Sequence, residues 1–220
     1  MKKSQQISES LPFVILLTLS GGFMDAYSYI GRGHVFANAQ TGNLLLLGIN
    51  LSTGNPSSAL RYLFPVLSFA CGVATAEILR RRFYGAKRLH WRQAVLLAEA
   101  VILLAVAFMP QNLNLLANSL TSFACGAQVE SFRKVNGCGI ATTMCIGNLR
   151  AAAQAICDYG FTKSRTAKEN GLLYLGIIGT FVIGAIIGNF SVHAWQENAI
   201  VVSSILLSAG FILMFIHKED

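Results

Sequence analysis

Apolar residues recur along the chain in runs of sixteen to twenty, broken by short polar or basic segments. A helix needs about 20 mostly apolar residues to cross the hydrocarbon core of a bilayer. The pattern therefore predicts an all-α polytopic membrane bundle of six transmembrane helices, near residues 11–30, 62–79, 94–109, 113–130, 171–190 and 199–216. They form a single integral membrane domain over 1–220. Two further stretches, 35–52 and 139–158, are semi-polar and are expected not to cross.

Charge placement chooses this topology. With six spans and an inner N-terminus, fifteen of the seventeen lysines and arginines fall on the inner side, leaving Arg32 and Arg61 outside. Counting the semi-polar stretches as spans would put the basic run Arg80–Arg92 outside, against the positive-inside rule. Both termini are expected in the cytoplasm of a bacterium, with the protein multi-pass in the inner (plasma) membrane. Arg80, Arg81, Arg82, Lys87, Arg88 and Arg92 sit at a membrane edge, where anionic lipid suits them better than nucleic acid.

Composition agrees. Hydrophobic residues make up 54%, charged residues 12%, and mean hydropathy is +0.54, which excludes a disordered chain and an ordinary soluble domain. The net charge is +7. The five cysteines form no CxxC pair and read as small packing residues in a reducing compartment. The first apolar run is too long for a signal peptide and lacks a small-residue cleavage site, so it is expected to remain as a span.

The two halves resemble each other. Gly21-Gly22-Phe23-Met24-Asp25-Ala26-Tyr27 resembles Gly126-Ala127-Gln128-Val129-Glu130-Ser131-Phe132, 105 residues on. Gly42-Asn43-Leu44 and Gly147-Asn148-Leu149 keep the same offset. Phe69-Ala70-Cys71-Gly72 resembles Phe181-Val182-Ile183-Gly184 at an offset of 112. The expectation is two repeats, about 11–110 and 113–216, each of three spans. An odd number inverts the second copy, an arrangement that suits transporters and channels.

The Gly-Asn pairs mark the next feature. Gly42 permits a turn with positive φ, Asn43 suits a helix N-cap, and a leucine run follows. Gly147 and Asn148 do the same in the second half. Each segment reads either as a re-entrant half-helix of about nine residues, some 14 Å long, or as an interfacial helix. A re-entrant start would present free N–H groups to an anion or polar solute, with Arg150 beside it. Asn38, Gln40 and Thr41 belong to the same polar run.

Four acids lie in or near the spans, and an intramembrane acid is a functional candidate. Glu77 has Arg80 and Arg81 one turn away, and Glu130 has Arg133 and Lys134. Asp25 has Tyr29 one turn on, and Glu99 has no local basic residue. The candidate substrate-binding set is therefore Asp25, Tyr29, Asn38, Gln40, Thr41, Gly42, Asn43, Glu99, Glu130, Gly147, Asn148 and Arg150. No HExxH, GxSxG, P-loop or metal-ligand spacing occurs, so neither an enzyme, a cofactor nor a metal is expected.

Gly21-Gly22-Phe23-Met24-Asp25-Ala26, then Phe36-Ala37-Asn38-Ala39-Gln40-Thr41-Gly42-Asn43-Leu44, then Phe69-Ala70-Cys71-Gly72, resemble the YoaK family of bacterial membrane proteins, a domain of unknown function. The resemblance implies a multi-pass inner-membrane protein and brings no substrate or catalytic residue with it. Two readings of function stand side by side. One is a transporter or channel for a small solute. The other is a non-transporting scaffold, assembly factor or sensor whose small-residue faces pack against partners, a second copy of the chain included.

Overall fold

The computed structural model describes residues 10–83, 90–135 and 138–216. They are mostly helical, joined by short irregular connections and one antiparallel pair, β1 (Lys134–Val135) and β2 (Cys138–Gly139). Eight α-helices follow in order: α1 Leu11–Ala26, α2 Gln40–Ser52, α3 Pro56–Phe83, α4 Trp91–Val106, α5 Asn114–Ser131, α6 Cys145–Thr162, α7 Arg165–Trp195 and α8 Val201–Ile216. A π-helical turn, Tyr27–Gly31, extends α1, and a short 3₁₀ segment, Gln196–Ile200, turns α7 into α8.

Local chemistry sets several of these boundaries. Pro12 in the first turn of α1 pre-sets φ where no N–H is needed. His90 caps α4 reciprocally: its ring accepts from Arg92 N, while its own N–H donates to Gln93 Oε1 at 3.0 Å. Pro65 lies inside α3 and deletes one rung of its hydrogen-bond ladder.

Interhelical contacts define two ends. At one, the Phe13 ring meets Phe132, Gln93 Nε2 donates to Met214 O, Arg92 Nε donates to Ser131 O, and Arg133 pairs with Glu130 and approaches Glu77. At the other, Tyr27 donates to Glu197 O and Gln111 donates to Gly31 O. Helices α1, α4 and α7 thus run from the first end to the second, and α3, α5 and α8 run back. Helices α1 and α7 are parallel neighbours, as are α3 and α5; α2 packs on α3 and α6 on α7. Helices α4 and α8 cross antiparallel, with Ser204 Oγ donating to Ala100 O at 2.7 Å.

Glycines set the two parallel pairs. A Cβ on Gly22 would lie 2.0 Å from Phe181 O, and one on Gly184 would lie 2.2 Å from Leu19 O. In the other pair, Gly126 faces Phe69 O at 2.1 Å and Gly72 faces Phe123 O at 2.0 Å. By this packing the partner of Gly126 is Gly22, one residue beyond the Gly21 that the sequence alignment pairs with it. Gly21 serves another contact: its missing Cβ admits the backbone of Thr142 and Thr143, at 3.0 and 3.2 Å.

Among the described residues, three helical stretches are long and apolar enough to cross a membrane: Leu11–Gly31, Pro56–Phe83 and Arg165–Met214. The other segments that the hydropathy pattern reads as spans form helices too, but shorter or more polar ones. Helix α4 has 16 residues. Helix α5 turns Asn118, Thr121, Ser122 and Gln128 into the interior. Large apolar side chains cover the outside, among them Leu45, Ile78, Val101, Ile183, Phe190 and Ile205. So much exposed apolar surface suits lipid and not water.

Candidate functional site

The two semi-polar stretches converge. The start of α2 (Asn38, Ala39, Gln40 and Thr41) and the start of α6 (Thr143, Met144, Cys145 and Ile146) line one cavity of about 650 Å³. Asp25, Ala26, Tyr29 and Ile30 supply its wall from α1 and the π-turn. Phe36, Phe69 and Phe181 close it with rings. Tyr29 stacks on Phe36, centroids 4.8 Å apart, and meets His34 edge-on.

Asp25 reaches across to the start of α2. Its Oδ1 accepts from Asn38 N at 2.7 Å, and the amides of Ala37 and Ala39 also face the carboxylate. The carboxylate thus takes up N–H groups of the residues just ahead of α2, while in the first turn Gln40 N donates to Asn38 O and Gly42 N to Ala39 O, so the helix start that the sequence reading reserves for a solute is partly satisfied by the protein itself. Asn38 is fully buried, and its Nδ2 donates to Gly21 O at 3.1 Å. Gln40 Nε2 donates to Ala37 O at 2.8 Å.

The Gly-Asn pairs prove to be braces. Helix α2 begins at Gln40 with Ala39 as its N-cap, so Asn43 lies inside the first turn. Asn43 accepts from Phe36 N at 3.0 Å and donates to Phe36 O and Gln40 Oε1, both at 2.8 Å. Gly42 has no positive φ; a Cβ there would strike the Phe36 ring at 2.8 Å. Asn148 repeats the brace, accepting from Ala141 N at 3.3 Å and donating to Ala141 O at 2.8 Å and Met144 O at 3.2 Å. Both asparagines reach back seven residues, because a side-chain amide offers a donor and an acceptor that together match the backbone C=O and N–H of one residue. Helix α2 spans 13 residues and α6 spans 18, both longer than the nine expected.

The remaining candidates lie elsewhere. Gly147 and Arg150 are exposed on α6 and do not line the cavity. Glu99 is buried in a separate void of about 50 Å³ beside Thr75, Ile102 and Phe123, and neither carboxyl oxygen has a hydrogen-bond partner. Glu130 pairs with Arg133 at the first end of the bundle. Glu77 holds Arg80 and Arg81, each at 2.7 Å. Lys87 and Arg88 of the basic run lie outside the described residues, and Arg81 and Arg82 are exposed. The four cysteines described, Cys71, Cys125, Cys145 and Cys157, are free thiols. No group of acids, histidines and cysteines suited to a metal occurs among the described residues.

Sequence reasoning missed the second half's share of the cavity, although its own offset of 105 carries Asn38 to Thr143, Gln40 to Cys145 and Thr41 to Ile146. It also put Arg32 on the outer side and gave it no role. Arg32 is 1% exposed. Its guanidinium donates to Tyr27 Oη at 2.7 Å, Val106 O at 3.0 Å, Asn114 Oδ1 at 3.0 Å and Pro110 O at 3.4 Å, tying the π-turn to the α4–α5 connection. No periodicity marks such a residue.

The family model described as "Protein of unknown function (DUF1275)" matches residues 13–213. The UPF0700 transmembrane protein YoaK of Bacillus subtilis (strain 168) is 30% identical over 185 residues, covering 78% of this chain and 79% of the relative. No solved structure matches. With almost its whole length matched, and with helices fit to cross a bilayer, the chain belongs to the DUF1275 family of proteins and is a membrane protein.

Proposed function

We propose that this protein is a multi-pass inner-membrane carrier or channel for a small solute, with six spans arranged as two oppositely oriented halves and both termini in the cytoplasm. The observation that carries the reading is the shared cavity. The starts of α2 and α6, one from each half, line it together with Asp25. Irregular backbone is tolerated inside a membrane where it borders protein or an aqueous path, and such helix starts are where carriers hold solutes.

Three observations support the inverted plan. The glycine contacts pair α1 with α7 and α5 with α3 through matching positions. Asn43 and Asn148 brace their turns alike. Helices α4 and α8 pack antiparallel against each other, as a twofold axis lying in the membrane would require. Arg80, Arg81, Arg92 and Arg133 gather at one end, which fits a cytoplasmic face.

The test is aqueous access in lipid vesicles. Thr41→Cys and Thr143→Cys, each placed in a chain whose native cysteines are replaced by alanine, should react with a membrane-impermeant maleimide. Ile205→Cys, on the apolar exterior, should not. A cavity closed to the reagent at both threonines, in a folded protein, would sink the solute pathway and favour a scaffold.

A further inference from the structure

We infer that the cavity takes a protonated lipophilic amine, its ammonium against Asp25 and its apolar body among Phe36, Phe69 and Phe181. This rests on the cavity being a solute site and names the class of solute. Two buried side-chain oxygens beside the cavity are left without a partner. Asn38 uses its Nδ2 on Gly21 O, which leaves its buried Oδ1 without a donor. Thr143 is 1% exposed, and its Oγ1 has no partner. Asp25 receives backbone amides, but no lysine, arginine or histidine lines the cavity. The Gln40 Nε2 is already committed to Ala37 O.

Buried acceptors without donors are costly, and a ligand that brings N–H groups relieves them. An ammonium carries three such groups and a charge opposite to that of a carboxylate. An anion would meet the Asp25 carboxylate and Asn38 Oδ1, with only uncharged donors, the Thr143 hydroxyl and the start of α6, to offset the repulsion. The rest of the lining, Thr41 and Cys145 apart, is aromatic or apolar, so it suits an apolar body, and aromatic ring faces attract a cation. The volume of about 650 Å³ is that of an ordinary small-molecule site.

The experiment measures binding to the purified full chain in detergent micelles near neutral pH by calorimetry. Three probes of one shape are compared: phenethylamine, phenethyl alcohol and phenylacetate. The amine should bind at least about tenfold more tightly than the alcohol, and phenylacetate should show no saturable binding. Asp25→Asn keeps an acceptor for Asn38 N, so it should abolish the preference for the amine over the alcohol. Thr143→Val should weaken the amine severalfold. Phenylacetate binding more tightly than the amine, an amine preference that survives Asp25→Asn, or no binding by any probe would overturn the assignment. Should Asp25→Asn fail to fold, the wild-type ranking and Thr143→Val decide between the same outcomes. Flux in proteoliposomes separates the two readings. Asp25-dependent amine binding without flux removes the carrier and keeps the ligand class. Flux of another solute with no amine preference does the reverse.

Discussion

Asn43 and Asn148 show how one side chain can hold a piece of irregular backbone inside an apolar bundle. Each pairs with both the N–H and the C=O of the residue seven positions back. In a membrane interior such groups have no water to turn to. Asn148→Ala should leave Ala141 unpaired and lower stability by about 2 kcal/mol, read as a fall in melting temperature in detergent. Arg150→Ala, two residues on and exposed, should change stability by no more than about 0.5 kcal/mol. A larger effect at Arg150 than at Asn148 would restore Arg150 as the organising residue of the turn. Asp25 differs from both. It organises the start of α2 and also faces the cavity, and in the second half the corresponding turn is met by Gln128, which donates to Thr142 Oγ1 at 3.2 Å and Leu17 O at 3.3 Å. The acid is therefore present on one side only, and Glu130 does not stand in for it.

Helix pairing in this bundle depends on glycines at which another backbone arrives, because lipid supplies no hydrophobic drive for one helix to leave it for another. Gly22, Gly72, Gly126 and Gly184 would each place a Cβ within 2.0 to 2.2 Å of a carbonyl oxygen on the facing helix. Relief requires the helices themselves to move apart. Gly22→Ala and Gly72→Ala should each cost about 3 kcal/mol or more and reduce the yield of folded protein. Gly48→Ala on α2, where no atom lies within 4 Å, should be neutral or slightly stabilising. Equal melting temperatures for all three variants would show that these glycines do not set the packing. The π-turn Tyr27–Gly31 belongs to the same logic, since a Cβ on Gly31 would meet Val192 of α7 at 3.3 Å.

Across the bundle, the alternation of the six core helices predicts the fate of each loop. Reporter fusions after Lys163 and after Lys87 should read cytoplasmic, and one after Thr53 external. An external reading at Lys163 would overturn the proposed orientation of the second half. The cavity sits between the two halves and is lined by the starts of α2 and α6, which are not packed against each other as helices. A shift of either half relative to the other would change its shape.

Much of this was legible in the chain before any folding. Hydropathy marked six segments, each of which is helical, and three helical stretches among the described residues are long and apolar enough to cross a membrane, because lipid admits only segments that satisfy their own backbone. The acid-aromatic motifs and the Gly-Asn pairs marked the two special turns, because few residue types tolerate close backbone approach or brace a peptide unit. What the chain could not disclose was which partner each group meets. Gly42 and Asn43 read as a turn and a cap, yet a ring fills the space beside one and the backbone of Phe36, seven residues back, binds the other. The backbone just ahead of the helix start that looked open to solute is held by Asp25. Arg32, lone and unpatterned, is buried among carbonyls. Periodicity records which face of a segment avoids water. The pairing of buried donors and acceptors, and hence which acceptors remain for a ligand, is decided only when segments far apart in the chain are brought within about 3 Å of each other.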